Sequence, residues 1–144
     1  SASNGAFINY MHNDTITLEF VIYADKAVSD APLYISAGSE MGSVKFTPSS
    51  LGIYTYTGDK VNAETKKTVN YGSVTVEGGQ TYTSFKEYKF GTVSLAEGWN
   101  VIQIAVHNNT LRDGLIGGPG LDYIRVDTSA TLKWVPYTYN MTRG

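Results

Sequence analysis

The amino-acid sequence predicts an all-β protein whose strands form an antiparallel two-sheet β-sandwich of jelly-roll type. The first observation is alternation, because apolar side chains recur at every second position of segment 16–23, as in a half-buried strand. These side chains are Ile16, Leu18, Phe20 and Ile22. The second is that short segments rich in β-branched and aromatic residues are separated by turn-forming residues. The third is that no segment has a clear 3.6-residue apolar stripe. Many short strands with turns between them are typical of sandwiches and jelly rolls.

Nine strands are predicted in chain order from this alternation and from β-branched composition. They are 6–11, 16–23, 33–37, 53–57, 69–76, 89–95, 100–107, 121–127 and 131–135. Turn signals separate them, of which the glycine-rich stretch 117–120 is the strongest. The segment 25–31 has room for at most one helical turn. Alternation ends near residue 136, so we expect one sandwich domain over 1–136 and a tail or linker over 137–144.

Composition excludes several functions. The chain has 144 residues, a net charge of −2 and 17% charged residues, so it lacks the basic field that holds a phosphate backbone, and no nucleic acid is expected. No apolar run approaches the roughly 20 residues that span a bilayer, so no membrane is expected. The absence of cysteine removes thiolate nucleophiles and thiolate metal sites.

Five segments, taken in order, resemble a known family. They are 3–8, 14–20, 69–76, 93–102 and 117–126. Together they are similar to the β-sandwich carbohydrate-binding modules of the family 6 and family 35 type, which have a galactose-binding-like fold. The resemblance extends from about Ser3 to Val126. It departs from the family at Gly120, where an asparagine often contacts sugar, and at the start, where the family's first strand with its pair of acidic residues is absent, displaced or outside the given sequence.

The resemblance implies a non-catalytic module that targets a larger secreted, bacterial, glycan-active protein to a polysaccharide, oligosaccharide or host glycan. The module would be extracellular or on the cell surface, and linked to other domains. Two alternatives remain open. One is a structural or adhesion sandwich without a sugar site, which Gly120 favours, and the other is a catalytic or accessory domain of a glycoside-processing enzyme.

The resemblance also implies a structural calcium ion. Asp122 matches the family's calcium-ligating aspartate at the start of the last strand, and a backbone carbonyl near Ser3 or Asn4 would be a second ligand. Calcium prefers such oxygen ligands. The alternative is that Asp122 caps the glycine-rich loop through backbone N–H groups.

Sugar binding needs an aromatic ring for stacking and planar polar groups for paired hydrogen bonds. Two loops, 9–14 and 107–113, combine these residue types, and in the family's topology both lie at the same end of the sandwich. The candidate ligand-binding residues are Tyr10, His12, Asn108, Asn109 and Arg112. The alternative is that these residues serve turns, for which asparagine is well suited.

A second possible site is the concave face of the sandwich, with Tyr54, Tyr56 and Tyr82 as platforms. Two further aromatic residues are assigned to structure. Trp99 is expected to be buried against a sheet edge, and Trp134 is expected to be a core or edge residue.

We expect no enzymatic activity. Histidine occurs only at His12 and His107, and neither belongs to a recognisable nucleophile–base arrangement. No acidic residue stands in a setting that marks it as half of a glycosidase pair. Asn100, at a turn position of the family, is expected to be structural.

Overall fold

The strands dominate the structure. The computed structural model describes residues 4–10, 16–38, 43–77, 85–107 and 120–135, with a one-turn 3-10 helix at Ala63–Thr65. The strands of the described residues are β1 (Gly5–Tyr10), β2 (Ile16–Ala24), β3 (Val28–Gly38), β4 (Val44–Phe46), β5 (Leu51–Thr57), β6 (Lys67–Thr68), β7 (Val74–Val76), β8 (Lys86–Leu95), β9 (Gly98–Val106), β10 (Gly120–Val126) and β11 (Leu132–Trp134).

Two antiparallel sheets form the sandwich. The four-stranded sheet has the order β1-β10-β3-β8 and the five-stranded sheet has the order β11-β2-β9-β5-β6. A small third sheet pairs β4 with β7. Sequence neighbours often lie in different sheets or apart in the same sheet, as in a jelly roll. The predicted fold class, an all-β antiparallel two-sheet sandwich, is therefore confirmed.

The core fills the space between the sheets, as the alternation in β2 predicts. Leu18, Phe20 and Ile22 are buried, whereas Glu19 and Tyr23 between and after them are exposed. Each fully buried aliphatic or aromatic side chain contributes about 1.5–3 kcal/mol relative to exposure. Because a shift of one residue would turn this apolar row to solvent, burial also fixes the register of β2 against β9.

The structure corrects the predicted elements at three places. The third strand begins at Val28, so the segment assigned at most a helical turn is extended, with a register shift between Val28 and Ala31. The predicted strand 69–76 is interrupted, and only Val74–Val76 is a strand, preceded by Gly72 at φ 75°. The predictions missed β4 and β6, because runs of three and two residues are too short to show a period.

The described residues end at 135, so the boundary between 1–136 and 137–144 stays a prediction. Within the described segments, no helix is long and apolar enough to cross a membrane.

Candidate functional site

The strand ends that flank the two candidate loops lie at one end of the sandwich. In the four-stranded sheet, Tyr10 pairs with Leu121 at the start of β10, and in the five-stranded sheet Ile16 pairs with Val106. The six peptide steps from residue 10 to residue 16 reach at most about 21 Å, whereas nine-residue β2 is about 30 Å long. Ile16 must therefore lie at the same end as Tyr10. We call this end the loop rim.

The candidate sugar-binding residues have the following outcome. Tyr10 is the last residue of β1, and its backbone lies at the loop rim. His12, Asn108, Asn109 and Arg112 lie outside the described residues. Their joint contact with a ligand stays a prediction, which the shared position of the flanking strand ends supports.

Asp122 lies in an irregular part of β10. Leu121 pairs with Ala37, but Tyr123 pairs with Ser36, so Asp122 is an extra residue that forms a bulge beside the loop rim. Its side chain is half-buried. Ser3 lies outside the described residues, and among those described no group of three or more His, Cys, Asp or Glu side chains could hold a metal ion. The described side chains therefore supply one carboxylate and no complete calcium site, and calcium stays a prediction.

The outer face of the five-stranded sheet carries Tyr54 and Tyr56, two of the three tyrosines that the sequence suggested as platforms. Tyr56 is only 4% exposed, and its hydroxyl donates to Gln103 Oε1 at 2.6 Å. Tyr54 lies over the backbone of Gly52, and Lys66 Nζ lies 4.2 Å from its ring centroid. Tyr56 as a platform is therefore wrong, and Tyr54 already has a cation over its ring. Tyr82 lies outside the described residues.

The same face presents an aromatic pair that the sequence predictions assigned otherwise. Tyr23 and Trp99 are 40% and 43% exposed and face each other across β2 and β9. Their ring centroids lie 5.1 Å apart with an interplanar angle of 78°, which is a favourable edge-to-face arrangement. The expected burial of Trp99 is wrong, because Asn100 takes the inward position and alternation then turns Trp99 outward.

Trp134 and Asn100 behave as predicted. Trp134 packs edge-to-face on Phe20 with centroids 6.0 Å apart. Asn100 is buried, accepts from the N–H of Ala96, and donates to the carbonyl oxygens of Ala96 and Gly98. It thus closes the turn between β8 and β9, and its role is structural.

The outer face of the four-stranded sheet holds a polar cluster that the sequence analysis missed. Arg125 donates to both carboxylate oxygens of Glu87, at 2.8 and 2.9 Å, and lies 4.6 Å from the ring centroid of Tyr34. Tyr123 donates to the same carboxylate at 2.6 Å. The sequence pattern that could have indicated this cluster is the alternation in β10, which turns Tyr123 and Arg125 to the outer face while Ile124 between them is buried.

These contacts change the titration of the cluster. Hydrogen bonds from Arg125, followed by that from Tyr123, lower the pKa of Glu87 to about 2. Burial, together with donation to Glu87, raises the pKa of Tyr123 to about 12. The carboxylate and the guanidinium satisfy each other, so this cluster stabilises the sheet and has no proton to exchange near neutral pH.

A small polar cleft of about 130 Å³ lies where β5 and β6 approach the turn after β8. Thr65 donates to the carbonyl of Asn62 and accepts from Thr57 N–H, and Ser94 accepts from Asp30 N–H. The Thr65 and Ser94 hydroxyls are thus bound to the protein itself, and the residues that line this cleft include neither a nucleophile–base pair nor a carboxylate pair.

Comparison with known proteins supports the fold. No protein-family model and no curated protein sequence matches the chain. Among solved structures, the chain is similar to the CBM35 domain from Cellvibrio japonicus Abf62, with a TM-score of 0.53 and 16% sequence identity over 89% of this chain and 76% of that chain. CBM35 is a carbohydrate-binding module family, and the likeness supports the predicted two-sheet β-sandwich fold. At this identity the likeness establishes the fold, because function depends on the site.

Proposed function

We propose that this protein is a non-catalytic carbohydrate-binding module that holds a polysaccharide or oligosaccharide at the loop rim. The observation that carries the proposal is the meeting of the strand ends Tyr10, Ile16, Val106 and Gly120 at one end of a sandwich similar to a CBM35 domain. Because loops on a rigid scaffold commonly carry binding residues, this end is the natural place for a ligand.

The residue types around the loop rim suit a sugar. Tyr10 and His12 offer ring faces against which the apolar C–H face of a pyranose can pack. Asn108, Asn109 and Arg112 offer planar amide and guanidinium groups that bond neighbouring hydroxyls in pairs. These groups bind and orient, and no bond to the sugar is made or broken.

Binding at one such site should be weak. Sugar hydroxyls exchange hydrogen bonds with water for similar bonds with protein, so the net gain per bond is small. A module of this kind gains retention when it is linked to further modules or domains on one polypeptide. We therefore propose that it keeps a larger secreted, bacterial, glycan-active protein near its polysaccharide, outside the cell.

Affinity electrophoresis through gels containing soluble polysaccharides tests this proposal. Tyr10→Ala and Arg112→Ala should each reduce retention about tenfold, which corresponds to about 1.4 kcal/mol, while the melting temperature stays within about 2 °C. Arg143→Ala, in the predicted tail, is the matched control and should keep full retention.

Two other results would overturn the proposal. Absence of retention on every neutral and acidic polysaccharide tested would favour the structural spacer, for which Gly120 in place of the family's asparagine is the supporting observation. Release of reducing sugar by the purified chain, abolished by a point substitution, would favour a catalytic domain of a glycoside-processing enzyme.

A further inference from the structure

The side chain of Asn4 ties the start of β1 to the turn between β10 and β11. Its Nδ2 donates to the carbonyl oxygens of Thr128 and Ala130, at 3.1 and 3.2 Å. Its Oδ1 accepts from the N–H of Leu132, the first residue of β11, at 3.3 Å. These partners lie 124 to 128 positions away along the chain, so one half-buried amide joins two distant segments.

Only an amide of this size satisfies all three partners. The two carbonyl oxygens need donors and the Leu132 N–H needs an acceptor, and asparagine carries two N–H groups and one oxygen on a single planar group. An aspartate would keep an oxygen for Leu132 N–H but would set its other oxygen against the carbonyls of Thr128 and Ala130. The tie between the two segments therefore depends on an intact amide at Asn4.

The residue that follows Asn4 has to be glycine. Gly5 pairs with Arg125, and a Cβ built on Gly5 would lie 2.6 Å from the carbonyl oxygen of Ile124. Real Cβ atoms essentially never lie within 3.0 Å of another atom, and here both atoms belong to the backbone of paired strands. The fold thus imposes both residues of an Asn-Gly pair, which is the only such pair in the chain.

An Asn-Gly pair favours attack of the backbone nitrogen on the asparagine amide, because glycine has no side chain to hinder the approach. In this reaction the Gly5 nitrogen loses its proton and bonds to Cγ of Asn4, ammonia leaves, and a succinimide ring forms. Water then opens the ring at either carbonyl carbon, which leaves aspartate or isoaspartate at position 4. Water is the only co-reactant, so the steps balance without an enzyme or a cofactor.

The folded structure opposes this reaction at both reacting groups. Ring closure expels Nδ2 of Asn4, so its hydrogen bonds to the turn have to break. The attacking nitrogen belongs to Gly5, which is held in β1 by pairing with β10. The reaction therefore proceeds from a state in which the start of β1 has opened, and its rate follows the population of that state.

We propose that Asn4 is a modification site, where the fold suppresses deamidation until β1 opens and the product then prevents β1 from closing again. In aspartate, both N–H donors to Thr128 and Ala130 are replaced by an oxygen that repels the carbonyls. In isoaspartate, the main chain is also one methylene longer, which disturbs the register of Gly5 against Arg125. The inference uses no residue of the loop rim, so it stands or falls separately from sugar binding.

The release should be local to β1, which is an edge strand of the four-stranded sheet. The turn keeps a second tie, because Asp25 Oδ1 accepts from Thr131 N–H at 2.8 Å and Asp25 N–H donates to the Thr131 carbonyl oxygen at 3.1 Å. β11 also remains paired with β2. We therefore expect modification to speed amide exchange in β1 and to leave exchange in the central strand β9 unchanged.

Peptide mapping by mass spectrometry measures the modification directly. The chain is incubated at mildly alkaline pH in buffer and in denaturing urea, and conversion of Asn4 to aspartate and isoaspartate is followed over time. Conversion should be at least about tenfold slower in buffer, because the hydrogen bonds of the amide oppose opening. A smaller difference would overturn the suppression by the fold, and absence of conversion in urea would overturn the site itself.

Substitution tests the effect of the product. Asn4→Asp should lower the melting temperature by about 5–10 °C and speed hydrogen exchange in β1 but not in β9. Asn62→Asp is the matched control, because Asn62 Oδ1 only caps the N–H of Glu64 and aspartate is an equally good cap. This control should melt and exchange like the unsubstituted chain.

Two further comparisons keep the test decisive. If Asn4→Asp does not fold, the deamidated fraction of an aged sample, separated by ion exchange, and the uncharged variant Asn4→Ala provide the same exchange measurement. If the deamidated chain or Asn4→Asp melts and exchanges in β1 like the unsubstituted chain, the product closes again and the proposed irreversible release is wrong.

Discussion

Asn100 should be among the most sensitive polar residues of the fold. It is 2% exposed, and its side chain makes three hydrogen bonds to the turn between β8 and β9. They are 2.9 Å from Ala96 N–H, 2.8 Å to Ala96 O and 3.0 Å to Gly98 O. At about 1 kcal/mol each, the three bonds amount to about 3 kcal/mol. Ala96 and Gly98 are half-buried, so water can replace part of the lost hydrogen bonding to their backbone groups. We therefore expect Asn100→Ala to lower the free energy of unfolding by about 2–3 kcal/mol.

Urea denaturation followed by tryptophan fluorescence measures this loss, which corresponds to a drop in melting temperature of about 6–12 °C. The control is Asn62→Ala, which removes an exposed cap that accepts one hydrogen bond from Glu64 N–H at 3.0 Å and should cost about 0.5–1 kcal/mol. Asn100→Asp keeps the acceptor but sets a buried carboxylate against two carbonyl oxygens, so it should be at least as damaging at pH 7. The loss should shrink as the pH falls toward about 4, because the buried carboxylate is protonated at a higher pH than in the unfolded chain. Equal losses for Asn100→Ala and Asn62→Ala would refute the idea that this amide holds the turn.

Three further perturbations have definite signs. The pKa of Glu87 falls from 4.5 to about 2 on folding, so the stabilisation that Glu87 provides is complete above about pH 4.5 and is lost as the pH falls toward 2. Glu87→Gln should remove this pH dependence and lower the free energy of unfolding by about 1 kcal/mol at pH 7, after discounting for partial exposure. If urea titrations show the same loss of stability in acid for both proteins, the pairing is contradicted. Gly91→Ala should lower the free energy of unfolding by about 2–4 kcal/mol in the same titration, because φ is +80° and the new Cβ would lie 2.9 Å from Asn70 O. The control is Gly58→Ala, where φ is +102° but the space around the new Cβ is open, so the loss should be about 1–2 kcal/mol. The calcium proposal predicts that chelation lowers the melting temperature of the unsubstituted chain but not of Asp122→Asn, and a chelator that changes neither would remove Asp122 from the ligands that matter to stability.

The candidate site could be predicted only where residue type and chain position were sufficient. Tyr10 was expected at a sugar site; its backbone lies at the loop rim, and its contact with sugar stays a prediction. Exposure could not be predicted for Tyr56 and Trp99, because it depends on neighbouring strands. The alternation within one strand gives two faces, but it does not say how far cross-strand neighbours cover each side chain, as Val101 shows by being buried on an outward row.

The sequence by itself determined the all-β class and which side chains of β2 face the core, because a period of two is a local property of the chain, and the family resemblance implied the structural role of Asn100. Only the tertiary structure decided that Glu87, Tyr123 and Arg125 meet in one cluster and that Tyr23 and Trp99 form an exposed pair. Glu87 lies 36 positions from Tyr123 and 38 from Arg125, and Tyr23 and Trp99 come from separate strands. Their contact arises because antiparallel pairing aligns distant strands, and the burial of the opposite faces fixes which side chains are left to meet.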